Sequence, residues 1–107
     1  MRSMKRIVTK QAAAFLALVA NGKRLEILSL IAHEELSVNT LAERVGLSQS
    51  ALSQHLSRLR RSGLVETRRH RQTIYYSCRS RSVERLLCLL EELFPDTTAA
   101  PGLPAGA

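Results

Sequence analysis

A chain of 107 residues fits one domain, and a domain of this size buries a modest core that pairing with a second copy would reinforce. Sixteen Lys and Arg against nine Asp and Glu give a net charge of +7, while the apolar share of 45% is that of an ordinary globular protein, which excludes a disordered basic tail. Such a charge concentrates polyanions and predicts salt-dependent binding to nucleic acid, although an acidic membrane surface feels the same attraction.

At the start of the chain, Arg2, Lys5, Arg6 and Lys10 precede the apolar run from Ala12 to Ala20, the order a secretory signal shows. Leu18 stands where a small residue is required before a cut after Ala20, and Val8, Ala12, Phe15 and Val19 recur at helical spacing, so a first helix is the better reading. No apolar stretch approaches the roughly 20 residues that span a bilayer, so no transmembrane segment and no membrane partner are predicted, and a cytoplasmic location is expected. Asn21-Gly22 breaks this helix, and Leu25, Leu28, Ile31 and Ala32 mark a second that runs to about His33.

Glu35-Leu36-Ser37-Val38 reads as a single β-bridge, after which Asn39 is placed to cap a brief helix carrying Leu41, Ala42 and Val45 inward and ending at Gly46. Ser48 caps the next helix, whose inward stripe is Leu52, Leu56 and Leu59, and Gly63 closes it. The period then changes. Leu64 to Arg68 and Thr73 to Ser77 are β-rich runs joined by His70-Arg71-Gln72, a hairpin in which Tyr75 and Tyr76 point to opposite faces. From about Ser82 a helical stripe of Val83, Leu86, Leu87, Leu90, Leu93 and Phe94 runs to Pro95. Residues 1–95 are thus one domain, and 96–107, rich in Pro, Gly and Ala, are a predicted disordered tail.

Two helices joined by Val45-Gly46-Leu47-Ser48 and followed by a basic hairpin define a winged helix-turn-helix, mainly α with a β-hairpin wing, in the order α-α-(β)-α-α-β-β-α. With Leu52, Leu56 and Leu59 turned inward, Gln49, Ser50, Ser53, Gln54, Ser57 and Arg58 lie on or near the outer face, with heads able to bond base edges or phosphates. An ordinary solvated helix carries Glu–Lys pairs, yet Ser48 to Arg61 contains no acidic residue. Gln49 and Ser50, beside the helix N-terminus, are the candidate base readers, since a Gln amide pairs bidentately with adenine. Arg58, Arg60 and Arg61 are placed for phosphate, and Arg68, Arg69, His70, Arg71 and Gln72 lie where a wing tracks the DNA backbone or enters the minor groove. His55, at the border of the inward stripe, reads as a packing residue.

The last helix is apolar over a wide arc because Leu89 joins its stripe, and the first has its own apolar side. Together they predict a dimer seam through Phe15, Val19, Leu86, Leu89, Leu90 and Leu93, which brings two recognition helices to half-sites about one helical turn (~34 Å) apart on a palindromic duplex.

The run from Lys23 to Leu28, Gly46-Leu47-Ser48-Gln49-Ser50-Ala51-Leu52-Ser53-Gln54-His55-Leu56-Ser57-Arg58-Leu59-Arg60, Gly63-Leu64-Val65 and Thr73-Ile74-Tyr75-Tyr76 resembles the ArsR/SmtB family, within it the NolR-type and HlyU-type regulators. The resemblance, from about residue 12 to 94, implies a dimeric winged-helix protein that occupies operator palindromes, usually as a repressor. The family's metal sensors place two cysteines and an aspartate after helix two, where this chain reads Glu35 to Leu41. Others use histidines and carboxylates on the last helix, which here offers Glu84, Cys88, Glu91 and Glu92. Redox-sensing relatives pair cysteines where Ser29 and Phe94-Pro95 stand. Neither metal nor cofactor is therefore expected.

Cys78 and Cys88 form no disulfide framework or zinc spacing, which suits a reducing cytosol, and carboxylates around Cys88 make it a poor thiolate; a thiol switch would need Cys88 to meet its twin across the seam. Catalysis is not expected, because no nucleophile with its base, paired carboxylates or phosphate-cradling loop can be assembled. The competing readings are a nucleoid-type binder without base readout, and a module that grips a protein partner.

Overall fold

The computed structural model describes residues 6–96. The predicted tail from residue 97 onward lies outside the described residues, as do residues 1–5. Five helices and three short strands follow in the order α1 (Thr9–Val19), α2 (Gly22–Ile31), β1 (Leu36–Ser37), α3 (Val38–Val45), α4 (Gln49–Arg61), β2 (Glu66–His70), β3 (Thr73–Ser77) and α5 (Arg81–Leu93). This is the winged helix-turn-helix order that the sequence predicts. None of the described helices is long and apolar enough to cross a membrane.

Helix boundaries are set by local chemistry. Side chains of Asn21, Ser48 and Ser80 accept from the backbone N–H three residues on, satisfying donors that the first turns of α2, α4 and α5 leave open. At α3 the structure corrects the sequence: Ser37, not Asn39, is the cap, accepting from the N–H of Thr40, and Asn39 lies inside the first turn. Both residue types cap well, and β1 ends early enough for the serine to act first. Gly46 (φ 67°) and Gly63 (φ 83°) take the left-handed conformation that ends α3 and α4. In each case the following amide reaches back to the helix, Leu47 N–H to Ala42 O and Leu64 N–H to Leu59 O.

The three strands form an antiparallel sheet of order β1-β3-β2. Leu36 pairs with Tyr76 and Ser37 with Tyr75, so the predicted bridge is a two-residue strand that ties the wing to the body. The hairpin starts two residues later than the sequence predicts. Val65 is buried and Leu64 half-buried against the core, so both serve the end of α4 and pairing begins only at Glu66. His70 pairs with Thr73, which leaves a two-residue loop of Arg71 and Gln72.

The core gathers Val19, Ile27, Leu28, Ile31, Leu36, Leu41, Ala42, Val45, Leu52, Leu56, Leu59, Val65, Cys78 and Val83. Leu52, Leu56 and Leu59 are at most 2% exposed, each contributing roughly 2 kcal/mol of burial and together fixing how α4 rolls on the body.

Candidate nucleic-acid interface

Thirteen residues at 1.5 Å per residue make α4 about 20 Å long, enough to cross a duplex groove. Its inner stripe is fully used by the core, so the side chains at Gln49, Ser50, Ser53, Gln54, Ser57, Arg58, Arg60 and Arg61 are exposed. Ser53, Gln54, Ser57, Arg58 and Arg61 line one shallow recess, so the predicted outer face is a continuous polar and cationic surface. The three described ion pairs, Lys23–Glu26, Arg44–Glu34 and Arg68–Glu35, draw on none of the arginines of α4 or the wing tip. Gln49, at the start of α4, donates from Nε2 to Asn39 Oδ1 on α3. The amide is thereby oriented across the turn, a role for Asn39 that its sequence position did not signal.

In the wing, Arg69, His70, Arg71 and Gln72 are exposed. Arg71 sits at φ 59° without being glycine, a conformation costing about 1–2 kcal/mol, and Arg69 Nε donates to the Arg71 carbonyl at 3.2 Å, bracing the turn. Arg68 is differently employed. Its Nε donates to both carboxylate oxygens of Glu35 at 3.0 Å and its Nη2 to Oε1 at 2.8 Å. Its guanidinium also lies 5.1 Å from the centre of the Tyr75 ring. Hydrogen bonding from Arg68 holds the Glu35 carboxyl below its ordinary pKa. Arg68 thus anchors the root of the wing to the α2–β1 loop, while Arg69 and Arg71 remain available to a ligand. Tyr75 serves this anchor, and Tyr76 packs on the core.

His55 is half-buried beside Arg24, Nδ1 to Nη1 3.3 Å, a packing residue as its place on the stripe border implies. On α1 and α5, Phe15, Leu86 and Leu90 are half-buried and Leu89 and Leu93 exposed, whereas Val19 is consumed by the protomer's own core. Leu16 and Phe94, which the sequence reading did not include in the seam, are exposed on the same two helices and their ends. Burial pushes the Cys78 thiol up, and Cys88 is exposed on the wall of an apolar groove between α2 and α5. Among the described residues no three His, Cys, Asp or Glu side chains converge as a metal site.

A helix-turn-helix with a polar, acid-free second helix and a basic hairpin beside it defines a winged-helix DNA-binding regulator. The sequence profile of bacterial regulatory proteins of the arsR family matches residues 21–67. The nodulation protein NolR of Rhizobium meliloti is 55% identical over 89 residues, 83% of this chain and 73% of that protein. The transcriptional activator HlyU of Vibrio cholerae is 48% identical over 84 residues, 78% of each chain. The crystal structure of NolR from Sinorhizobium fredii superposes with a TM-score of 0.77 at 50% identity, covering 88% of this chain and 97% of that one. The chain belongs to the arsR family, and so to the DNA-binding transcription regulators rather than the enzymes.

Proposed function

We propose that two copies of this chain associate through α1 and α5 and occupy a palindromic operator, repressing transcription in the cytoplasm by occlusion and without a metal sensor site. The observation that carries the reading is the outer face of α4, where hydroxyls, amides and guanidinium groups stand without a carboxylate. In this reading Gln49 and Ser50 meet base edges, Ser53, Gln54, Ser57 and Arg58 follow along the groove, and Arg69, Arg71 and Gln72 meet the phosphates flanking it. Phe15, Leu86, Leu89, Leu90 and Leu93 supply the seam. Activation is the second reading, favoured by the description of the 48%-identical HlyU as a transcriptional activator; a relative at 33% identity is described as a biofilm growth-associated repressor.

The test is selection from a random duplex pool with purified protein, without added metal, at near-physiological salt. Enrichment of a palindrome with half-sites about one helical turn (~34 Å) apart is expected. Binding without enrichment would favour a nucleoid-type role, and no binding would leave a protein partner as the better reading. Transcription in vitro from a promoter carrying the selected site separates repression from activation by sign.

A further inference from the structure

Arg24 is charged, stands in the first turn of α2, and is nevertheless only 8% exposed. A buried guanidinium persists only when its donors are spent on acceptors. Here the fork is divided between two helices. Nε donates to Leu18 O at 2.5 Å and Nη2 to Ala17 O at 3.4 Å, both in the last turn of α1. Their neighbours Leu16 O and Val19 O are already taken by the amides of Ala20 and Asn21, so Arg24 serves the two carbonyls between them. The negative end of the α1 dipole favours a cation at this place.

The third arm, Nη1, lies 3.3 Å from His55 Nδ1 in the middle of α4. A guanidinium can only donate, so Nδ1 must offer its lone pair and the ring proton of neutral His55 resides on Nε2. A doubly protonated ring has no lone pair there. It would instead set a second positive charge against Arg24, with Arg58, one turn further along α4, as a third; α1 faces this cluster with backbone carbonyls.

We propose that Arg24 and His55 form a proton-sensitive strut that holds the recognition helix at a fixed setting relative to α1, and that duplex affinity falls when a second proton on His55 opens it. Both are positioning residues, acting on DNA through the setting of α4. The proposal rests on the reading of α4 as the DNA-facing helix, and on α1 as a seam helix for its consequence across a dimer. Desolvation first, then the charges of Arg24 and Arg58, lower the His55 pKa from its ordinary 6.5. The ring is therefore neutral and the strut closed at neutral pH. The penalty grows as pH falls below the ordinary value toward the depressed one, where the ring in the folded chain finally protonates.

The test uses the full chain and the duplex that the wild type enriches, at constant ionic strength from about pH 7.5 to 5.5, the range in which imidazole titrates. His55→Gln keeps an acceptor but does not titrate; it should match wild-type affinity at the upper pH and lose His55's part of the acid dependence. Relative to this variant, wild-type affinity should fall about tenfold, the size of one lost hydrogen bond to a charged group. His55→Leu should bind about tenfold more weakly already at the upper pH, with circular dichroism showing the helix content of the wild type. The comparison with His55→Gln, which leaves every other side chain of the chain unchanged, isolates the contribution of His55. Long-range nitrogen–proton correlation on the free protein should show His55 as the Nε2–H tautomer with a pKa below 6.5.

Equal pH profiles for wild type and His55→Gln, or a proton on Nδ1 of the neutral ring, would overturn the strut. If wild type enriches no duplex at any pH, the reading of α4 fails instead, and the tautomer still decides whether the strut exists.

Discussion

Helices α4 and α5 are built alike and finish differently. Each has thirteen residues and a serine cap, and each shows an apolar stripe. The protomer buries the α4 stripe completely, whereas on α5 only Val83 is fully buried; Leu86, Leu87 and Leu90 are half-buried, and Leu89 and Leu93 are 48% and 58% exposed. What each helix leaves outside is what a partner meets. On α4 the remainder is hydroxyl, amide and guanidinium, matched to a polyanion with hydrogen-bonding edges. On α5 it is leucine among charges of both signs, Arg81 and Arg85 with Glu84, Glu91 and Glu92, matched to an apolar surface rather than to a polyanion. On this contrast rests the proposal that α4 meets DNA and α5 a second copy of the chain.

The sharpest way to break this contrast is to charge α5. Leu89→Lys combined with Leu93→Lys should yield a folded monomer by sedimentation velocity and cut operator affinity about 10²- to 10⁴-fold, because the second half-site loses its effective concentration. Core packing should survive, since both side chains are exposed in the protomer. A variant that remains dimeric would move the seam elsewhere.

Next in size are two substitutions on the DNA side that should differ in kind. Gln49→Ala is expected to cost about 1–3 kcal/mol at the selected operator and little on random duplex, relaxing preference at one base pair. Arg69→Ala should weaken all duplexes similarly and lower the salt slope by about 1. Equal losses on operator and random DNA for both variants would remove Gln49 from base reading.

Much of this was legible in the sequence because local chemistry decided it. Leucines at spacing four and three, Ser48 before them and Gly63 after them specify α4 without help from the rest of the chain. Where non-local partners decide, the residues alone were silent. Nothing in the cluster Arg68-Arg69-His70-Arg71 says which cation is tethered, because Glu35 lies 33 residues away from Arg68 and meets it only once β1 pairs with β3. Arg24 is another such case: a charge near a helix start reads as solvated until α1 and α4 close over it. The hairpin was misplaced by two residues because Leu64-Val65 has strand-like composition but is spent on sealing the end of α4.

The locally written features make their own prediction. Ser48→Ala removes the cap that satisfies the Ala51 N–H at 3.2 Å and should lower stability by about 1 kcal/mol in chemical denaturation. Because the cap also sets where α4 begins, it should blunt the difference between operator and random duplex. An unchanged midpoint would mean that the leucine stripe alone fixes the helix start.

The smallest expected effect tests the division of labour inside the wing. Arg68→Ala should leave the salt slope of DNA binding unchanged while Arg69→Ala lowers it, since Arg68 is committed to Glu35 and the Tyr75 ring. Glu35→Gln removes the carboxylate partner from a pair that solvent reaches, so global stability should barely move. The local consequence is faster hydrogen exchange of the β2 and β3 amides, whose ladder loses its tie to the α2–β1 loop. With the Glu35 pKa held below its ordinary value, the tie is complete above the ordinary carboxylate range and is lost only as pH falls through the depressed value. Protection of the wing amides should therefore be insensitive to pH near neutrality in both proteins, apart from the intrinsic exchange rate, and should differ between them by a constant factor. Identical protection would show that the three-stranded sheet holds the wing by itself and would return Arg68 to the candidates for phosphate.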